Sequence, residues 1–289
     1  RLSKSGTVSC NSCHNVMKAG EDHRTVSVGV DGKTGGRNSP TVFNAAAYSV
    51  QFWDGRAATL EEQAKGPMLN PVEMAMPNHD AVVNRLKKIP GYVTQFNQVF
   101  GPENSLTIDN VASAIATYER TLISVNSPYD KYLAGNKKAL NPNAKKGLEI
   151  VTNIGCTGCH MGTNFSGPEM KIGEGFYQKF PIFPGSEYDK KYDLVSDLGR
   201  FGVTKNEADK NMWRVPTWRN VARTAPYFHS GKVKSLFEAV RVMAKTQLNK
   251  TLPHQDVQNI VEFLESLNGE NPKQTLPKLP VAPKDILLE

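Results

Sequence analysis

The sequence predicts a mainly α-helical protein of two domains, and three features carry that expectation. Apolar residues recur at helical spacing in several separate stretches, alternating strand-like runs have almost no support anywhere, and one five-residue motif occurs twice, far apart. The motif is Cys10-Asn11-Ser12-Cys13-His14 and again Cys156-Thr157-Gly158-Cys159-His160. A Cys-x-x-Cys-His run reads as the attachment site of a c-type haem: two thioethers hold the porphyrin, and the next residue, a histidine, lies beneath the iron as its proximal ligand.

The four cysteines of these motifs are all the chain has. Two Cys-x-x-Cys pairs also suit one four-thiolate zinc site or a pair of disulfides, but neither requires a histidine directly after each pair. Haem therefore takes Cys10, Cys13 and His14 in one half and Cys156, Cys159 and His160 in the other, leaving no thiol for a disulfide. The expected fold is mainly α: two cytochrome c-like domains, each with one covalently bound haem, joined at an interface with long loops.

A length of 289 residues suffices for two cores of ordinary size. With 39% hydrophobic and 22% charged residues the composition is that of a globular protein, and no apolar run approaches the ~20 residues needed to cross a bilayer. Haem of this type is attached outside the cytoplasm, so the expected location is the bacterial periplasm, with Arg1 the start of a processed or trimmed form. The net charge of +7 favours an acidic partner, although haem propionates offset much of it. Lysines are scattered, with no basic block interleaved with aromatics, which argues against nucleic acid.

After the first motif, Gly29 to Gly36 is a glycine-rich loop. Thr59 to Glu62 fits a capping box and starts a short helix carrying Gln63; Pro67, Pro71 and Pro77 then break the chain into a loop that carries Glu73. Short helices are expected over Asp80 to Lys88 and Tyr92 to Phe100. A longer one spans Asn110 to Ser124, with Val111, Ile115, Tyr118 and Leu122 on its apolar face. Turn residues place a domain boundary near Gly135, which gives a first domain over 1–135 and a second over 136–269. The second opens with a helix over Ala144 to Thr152 that delivers Cys156. Long loops are expected from Gly162 to Asp209, then helices over Ser235 to Met243 and Gln255 to Leu267. The proline-rich tail from Pro272 to Pro283 is expected to run extended, with the segment 270–289 joining the first domain.

Several longer stretches carry a family resemblance. Arg37-Asn38-Ser39-Pro40-Thr41-Val42, Phe52-Trp53-Asp54-Gly55-Arg56-Ala57, Pro71-Val72-Glu73-Met74 and Thr224-Ala225-Pro226-Tyr227-Phe228-His229-Ser230-Gly231, with both haem motifs and in this order, resemble the bacterial dihaem cytochrome c peroxidases. The resemblance implies reduction of hydrogen peroxide to water at a low-potential N-terminal haem held by His14. Electrons would come from a small cytochrome c or cupredoxin through a high-potential haem ligated by His160 and a methionine. Met243 occupies the slot matching the axial methionine; Met212 is the second candidate, and Met161 and Met170 also lie in this half. Glu73 matches the family's acid–base residue, Gln63 the side chain that positions peroxide, and Trp53 a tryptophan between the haems. Asn38, with the carbonyls of Thr224 and Pro226, resembles a calcium site, and a homodimer is the family's common assembly.

One departure stands out. Where many relatives place a histidine that caps the peroxidatic iron, this chain has Val30, which binds no iron. Either His23 or His79 substitutes, or the site stays open without reductive activation, or the valine is an engineered change; an open or weakly capped site is the expectation. The alternatives to a peroxidase are a non-catalytic dihaem electron carrier, which has no use for Glu73 and Gln63, and a dihaem oxidase acting on a protein, whose second haem carries a tyrosine in the slot of Met243.

Overall fold

The computed structural model describes residues 1–283 and 286, so the last part of the 270–289 tail lies outside the described residues. Helices dominate: α1 (Cys10–Cys13), α2 (Leu60–Leu69), α3 (His79–Lys87), α4 (Pro90–Phe100), α5 (Ile108–Glu119), α6 (Pro128–Leu133), α7 (Pro142–Asn153), α8 (Glu187–Tyr192), α9 (Phe201–Thr204), α10 (Leu236–Leu248) and α11 (His254–Glu265). No helix among the described residues is long and apolar enough to cross a membrane.

Most longer helices start where a short polar side chain can take an orphan N–H. Thr59, Asn78, Thr107, Asn141 and Ser235 each accept from the residue three ahead, and Pro90, Pro128 and Pro142 occupy first-turn positions that need no N–H. Pro67 does not end α2 as its residue type suggests. It sits in the last turns of that helix, where it forfeits one backbone bond, and its carbonyl receives Met74 N at 3.3 Å. Helix α5 stops five residues before the sequence pattern ends. Beyond Arg120 the chain leaves the helix to pair with Asn44, whose N–H donates to Leu122 O at 2.9 Å and whose Oδ1 accepts from Ser124 N at 2.8 Å. Tyr118, expected on the apolar face, is exposed and bonds Gln274 of the tail.

Strands are nearly absent, with one antiparallel pair among the described residues: β1 (Tyr177–Lys179) and β2 (Met212–Arg214), in register Tyr177 opposite Arg214. Strand β1 and the short helices α8 and α9 interrupt the long loops expected between Gly162 and Asp209.

Three apolar clusters organise the chain. Met68, Met74, Met76, Val82, Leu86 and Val111 join α2, α3, α5 and the Glu73 loop. Ile150 and Val151 of α7, Val240 of α10, and Val257, Ile260, Phe263 and Leu264 of α11 form a second. Helices α7 and α11 approach so closely at Gly147 that a Cβ there would lie 2.0 Å from Asn259 O. Phe180, Tyr188, Leu194, Trp213, Tyr227 and Val242 form the third, against which Trp53 packs from the N-terminal half.

Polar contacts stitch the two halves together. Arg37 donates to Asp54 at 2.5 Å and through two nitrogens to Asp197 at 2.6 and 2.9 Å. Asn38 N donates to His229 O at 2.8 Å, and Arg214 N to Trp53 O at 3.0 Å. The tail lies over the N-terminal half, where Arg1 Nη1 donates to Pro280 O at 2.6 Å.

Candidate functional site: two cysteine–histidine centres and a shared segment

Helix α1 is a single turn that carries Cys10 and Cys13 three residues apart, and its carbonyl at Cys10 accepts from His14 N at 2.9 Å. A short 3-10 turn at Cys156–Gly158, entered through Gly155 in the left-handed region, does the same for Cys159 and His160. In both motifs the backbone turn closes through a hydrogen bond from the histidine N–H to the carbonyl of the first cysteine. All four cysteines are free thiols. Among the described residues no three of histidine, cysteine, aspartate and glutamate converge to hold a metal ion, which disfavours a joint thiolate site for zinc.

The imidazoles are prepared as neutral ligands. Nδ1 of His14 lies 3.0 Å from Pro40 O, and Nδ1 of His160 lies 3.0 Å from Phe165 O. An N–H pointed at a carbonyl leaves the lone pair on Nε2, the atom that meets an iron. Burial lowers the pKa of His14 and pushes His160 down to about 4, against the opposing effect of these carbonyls. Trp218 stacks on the His160 ring at 4.4 Å and 19°, which fixes the plane of the imidazole.

The His160 centre opens on a cavity of about 290 Å³, lined by Cys156, Cys159, Trp218 and Met243 among others. Met243 is the methionine of that lining among the described residues. Met212 lies on β2 outside it, and Met161 and Met170 are exposed. The free thiols, the neutral imidazole and a methionine around one apolar cavity fit a covalent haem.

Glu73 sits in the loop after α2, with Oε1 accepting from Asn70 Nδ2 at 2.6 Å. Burial raises its pKa, opposed by the Arg56 guanidinium and the Asn70 hydrogen bond. The Val30 loop is folded directly onto it. Val30 N donates to Glu73 O at 2.8 Å, Val30 is 2% exposed, and a Cβ on Gly29 would fall 2.2 Å from Val72 O. Gln63 is half-buried in the first turn of α2. His23 and His79 are turned to other partners: His23 Nδ1 lies 2.5 Å from Glu21 and 3.1 Å from Ala225 O, and His79 Nε2 lies 3.2 Å from Lys65 O.

Segment Asn38 to Thr41 joins the two centres. Pro40 accepts from His14, while all four residues line the cavity of His160. Trp53 lines the same cavity and donates from Nε1 to Asn38 O at 2.9 Å. Asn38, buried, gives Nδ2 to Arg24 O at 2.9 Å, and Thr224 and Pro226 share its cavity wall. Asn70, Arg214 and Trp218 have no motif signal of their own; Asn70 reaches Glu73 from three residues away, and the fold brings in the other two.

Comparison with known proteins places the chain in a family. A family model described as di-haem cytochrome c peroxidase matches residues 1–138. The chain is 45% identical to cytochrome c551 peroxidase of Pseudomonas aeruginosa over 98% of its own length and 79% of the relative's. It is 42% identical to the Nitrosomonas europaea protein of the same name over 99% and 81%. A solved MauG-like protein associated with microbial copper homeostasis aligns with a TM-score of 0.79 at 25% identity, over 93% of this chain and 86% of that one. The chain belongs to the di-haem cytochrome c peroxidase family.

Proposed function

We propose that the protein reduces hydrogen peroxide to water with two electrons and two protons, the electrons coming from a small periplasmic cytochrome c or cupredoxin. Two haem domains divide the work, 1–135 with the tail holding the peroxidatic centre of His14 and 136–269 the electron-receiving centre of His160. The haems supply the redox chemistry that breaks the O–O bond. The observation that carries the reading is Glu73: a carboxylate with a raised pKa, one oxygen held by Asn70, on the loop that also buries Val30.

Such a group holds a proton nearer to neutral pH than an ordinary glutamate. It takes one from peroxide and returns it to the leaving oxygen through Oε2, the oxygen Asn70 does not hold. Gln63, in the helix that ends where this loop begins, positions peroxide and water. Met243, which lines the same cavity as His160, would complete the ligand pair of a high-potential haem, and a methionine there supports a peroxidase over a protein-modifying oxidase. Trp53 and the Asn38–Thr41 segment connect the centres for electron transfer. Calcium at Asn38 Oδ1 and the carbonyls of Thr224 and Pro226 would brace that connection with an all-oxygen shell. A homodimer is the proposed assembly.

The test is peroxide consumption by holoprotein poised with the His160 haem ferrous, supplied with excess reduced cytochrome. Turnover that falls ~10²–10⁴-fold in Glu73→Gln, with donor oxidation lost in step, supports the reading. Unchanged turnover in that variant removes Glu73 from the chemistry, and no turnover in the unmodified protein leaves an electron carrier.

A further inference from the structure

Three buried polar groups around the His160 cavity lack the partners that burial demands. Arg214 is 5% exposed and lines the cavity, yet no carboxylate among the described residues pairs with its guanidinium. Its bonds are to neutral acceptors, from Nε to Phe52 O at 3.1 Å and from Nη1 to Val215 O at 3.4 Å, and its face rests on the Tyr48 ring at 3.6 Å. Trp213, 4% exposed, and His229, 3% exposed, line the same cavity with their rings stacked at 4.0 Å and 14°. Trp213 Nε1 and His229 Nε2 are both buried and without a hydrogen-bond partner.

A buried cation and two buried ring nitrogens, all lining one cavity, describe a receptor for anions. An indole N–H can only donate, so only an acceptor satisfies it. A guanidinium out of water is stabilised chiefly by a carboxylate that meets its fork. Arg37, 4.9 Å from the Trp213 ring centroid, already has its charge matched by Asp54 and Asp197.

We propose that Arg214, Trp213 and His229 receive the propionate carboxylates of the haem attached at Cys156 and Cys159, Arg214 by charge and the two ring N–H groups by hydrogen bonds. This rests on the haem reading above. The two cysteines would hold the thioether edge, and Trp213 and Arg214 of β2 would hold the carboxylates.

The experiment uses holoprotein with two haems verified by intact mass, as Trp213→Phe, His229→Phe, Arg214→Met and Arg214→Lys, with Lys232→Gln as a surface control. Resonance Raman spectra of the ferrous His160 haem read the propionate bending band directly, and spectroelectrochemistry reads its midpoint potential. The expected result is a shift of that band to lower frequency in Trp213→Phe, His229→Phe and Arg214→Met, a lower potential in Arg214→Met, and recovery of the potential in Arg214→Lys. Should Arg214→Met fail to accumulate, the two ring variants carry the test, since each removes an N–H and keeps an aromatic ring. Two attached haems with an unshifted propionate band in those variants would overturn the proposal while leaving the haem reading intact. Absence of covalent haem from the unmodified protein would overturn both.

Discussion

Gly29→Ala is the sharpest test of how the Val30 loop and Glu73 depend on each other. The new Cβ would fall 2.2 Å from Val72 O, 2.5 Å from Glu73 O and 2.7 Å from Glu73 Cα, where ordinary contact begins at 3.4 Å. About 1 Å of movement must therefore be found, and every atom in the way is backbone. Overpacking of this kind costs ~1–3 kcal/mol, and loss of the Val30–Glu73 hydrogen bond adds ~1 kcal/mol. A stiffer unfolded chain returns ~0.4–1 kcal/mol, so the net loss is about 2 kcal/mol. A displacement of ~1 Å at Glu73 lowers turnover by about 100-fold. Urea unfolding of the holoprotein at constant m-value measures the first effect, and peroxide turnover at saturating donor the second. Gly35→Ala, in the same loop with nothing within 4 Å of its Cβ, is the matched control and changes neither by much. If Gly29→Ala unfolds at the same urea concentration and turns over within twofold of the parent, the loop does not hold Glu73 in place.

Further outcomes follow from other residues. With valine at position 30, the oxidised holoprotein gives a substantial high-spin ferric signal from the His14 haem, and Val30→His moves it toward low spin; a fully low-spin parent by electron paramagnetic resonance contradicts the open site. Met243→Ala lowers the potential of the His160 haem and slows donor-driven turnover, each ~59 mV lost shifting the electron distribution about tenfold, and an unchanged potential by spectroelectrochemistry returns the role to Met212. Glu119, pushed up to about 7 chiefly by burial, binds its proton more tightly folded than unfolded. Its contribution is favourable below pH ~4.5 and is lost as the pH rises toward ~7, by at most about 3 kcal/mol. Urea unfolding from pH 5 to 8 therefore shows a downward slope in the parent that is shallower in Glu119→Gln.

Much of this was legible in the residues because the strongest signals were local. Two short cysteine–histidine turns and the capped helices need only their own neighbours, and α2, α7 and α11 stand close to where side-chain periodicity puts them. The departures have tertiary causes. Helix α5 ends early because Asn44, far away in sequence, takes the next segment, and Pro67 is carried inside α2 by the turn that returns through Met74. Chemistry divides in the same way. The two cysteine motifs single out His14 and His160, and Glu73 stands out only through the family resemblance, whereas the Trp218 stack on His160 and an Arg214 facing neutral acceptors arise only when separate stretches meet.

The segment from Arg37 to Thr41 has a consequence for how the polypeptide is made. It carries the acceptor for His14 and has near partners in Asp54 and Arg24, but others, Asp197 and His229, lie more than half the chain further on, and Arg1 is tied to Pro280. The first centre thus completes its surroundings only after nearly all of the chain has emerged, a delay that grows with the sequence separation of its contacts. The late partners then lock the segment in place, so an isolated N-terminal half would keep the motif and lack the contacts that finish it.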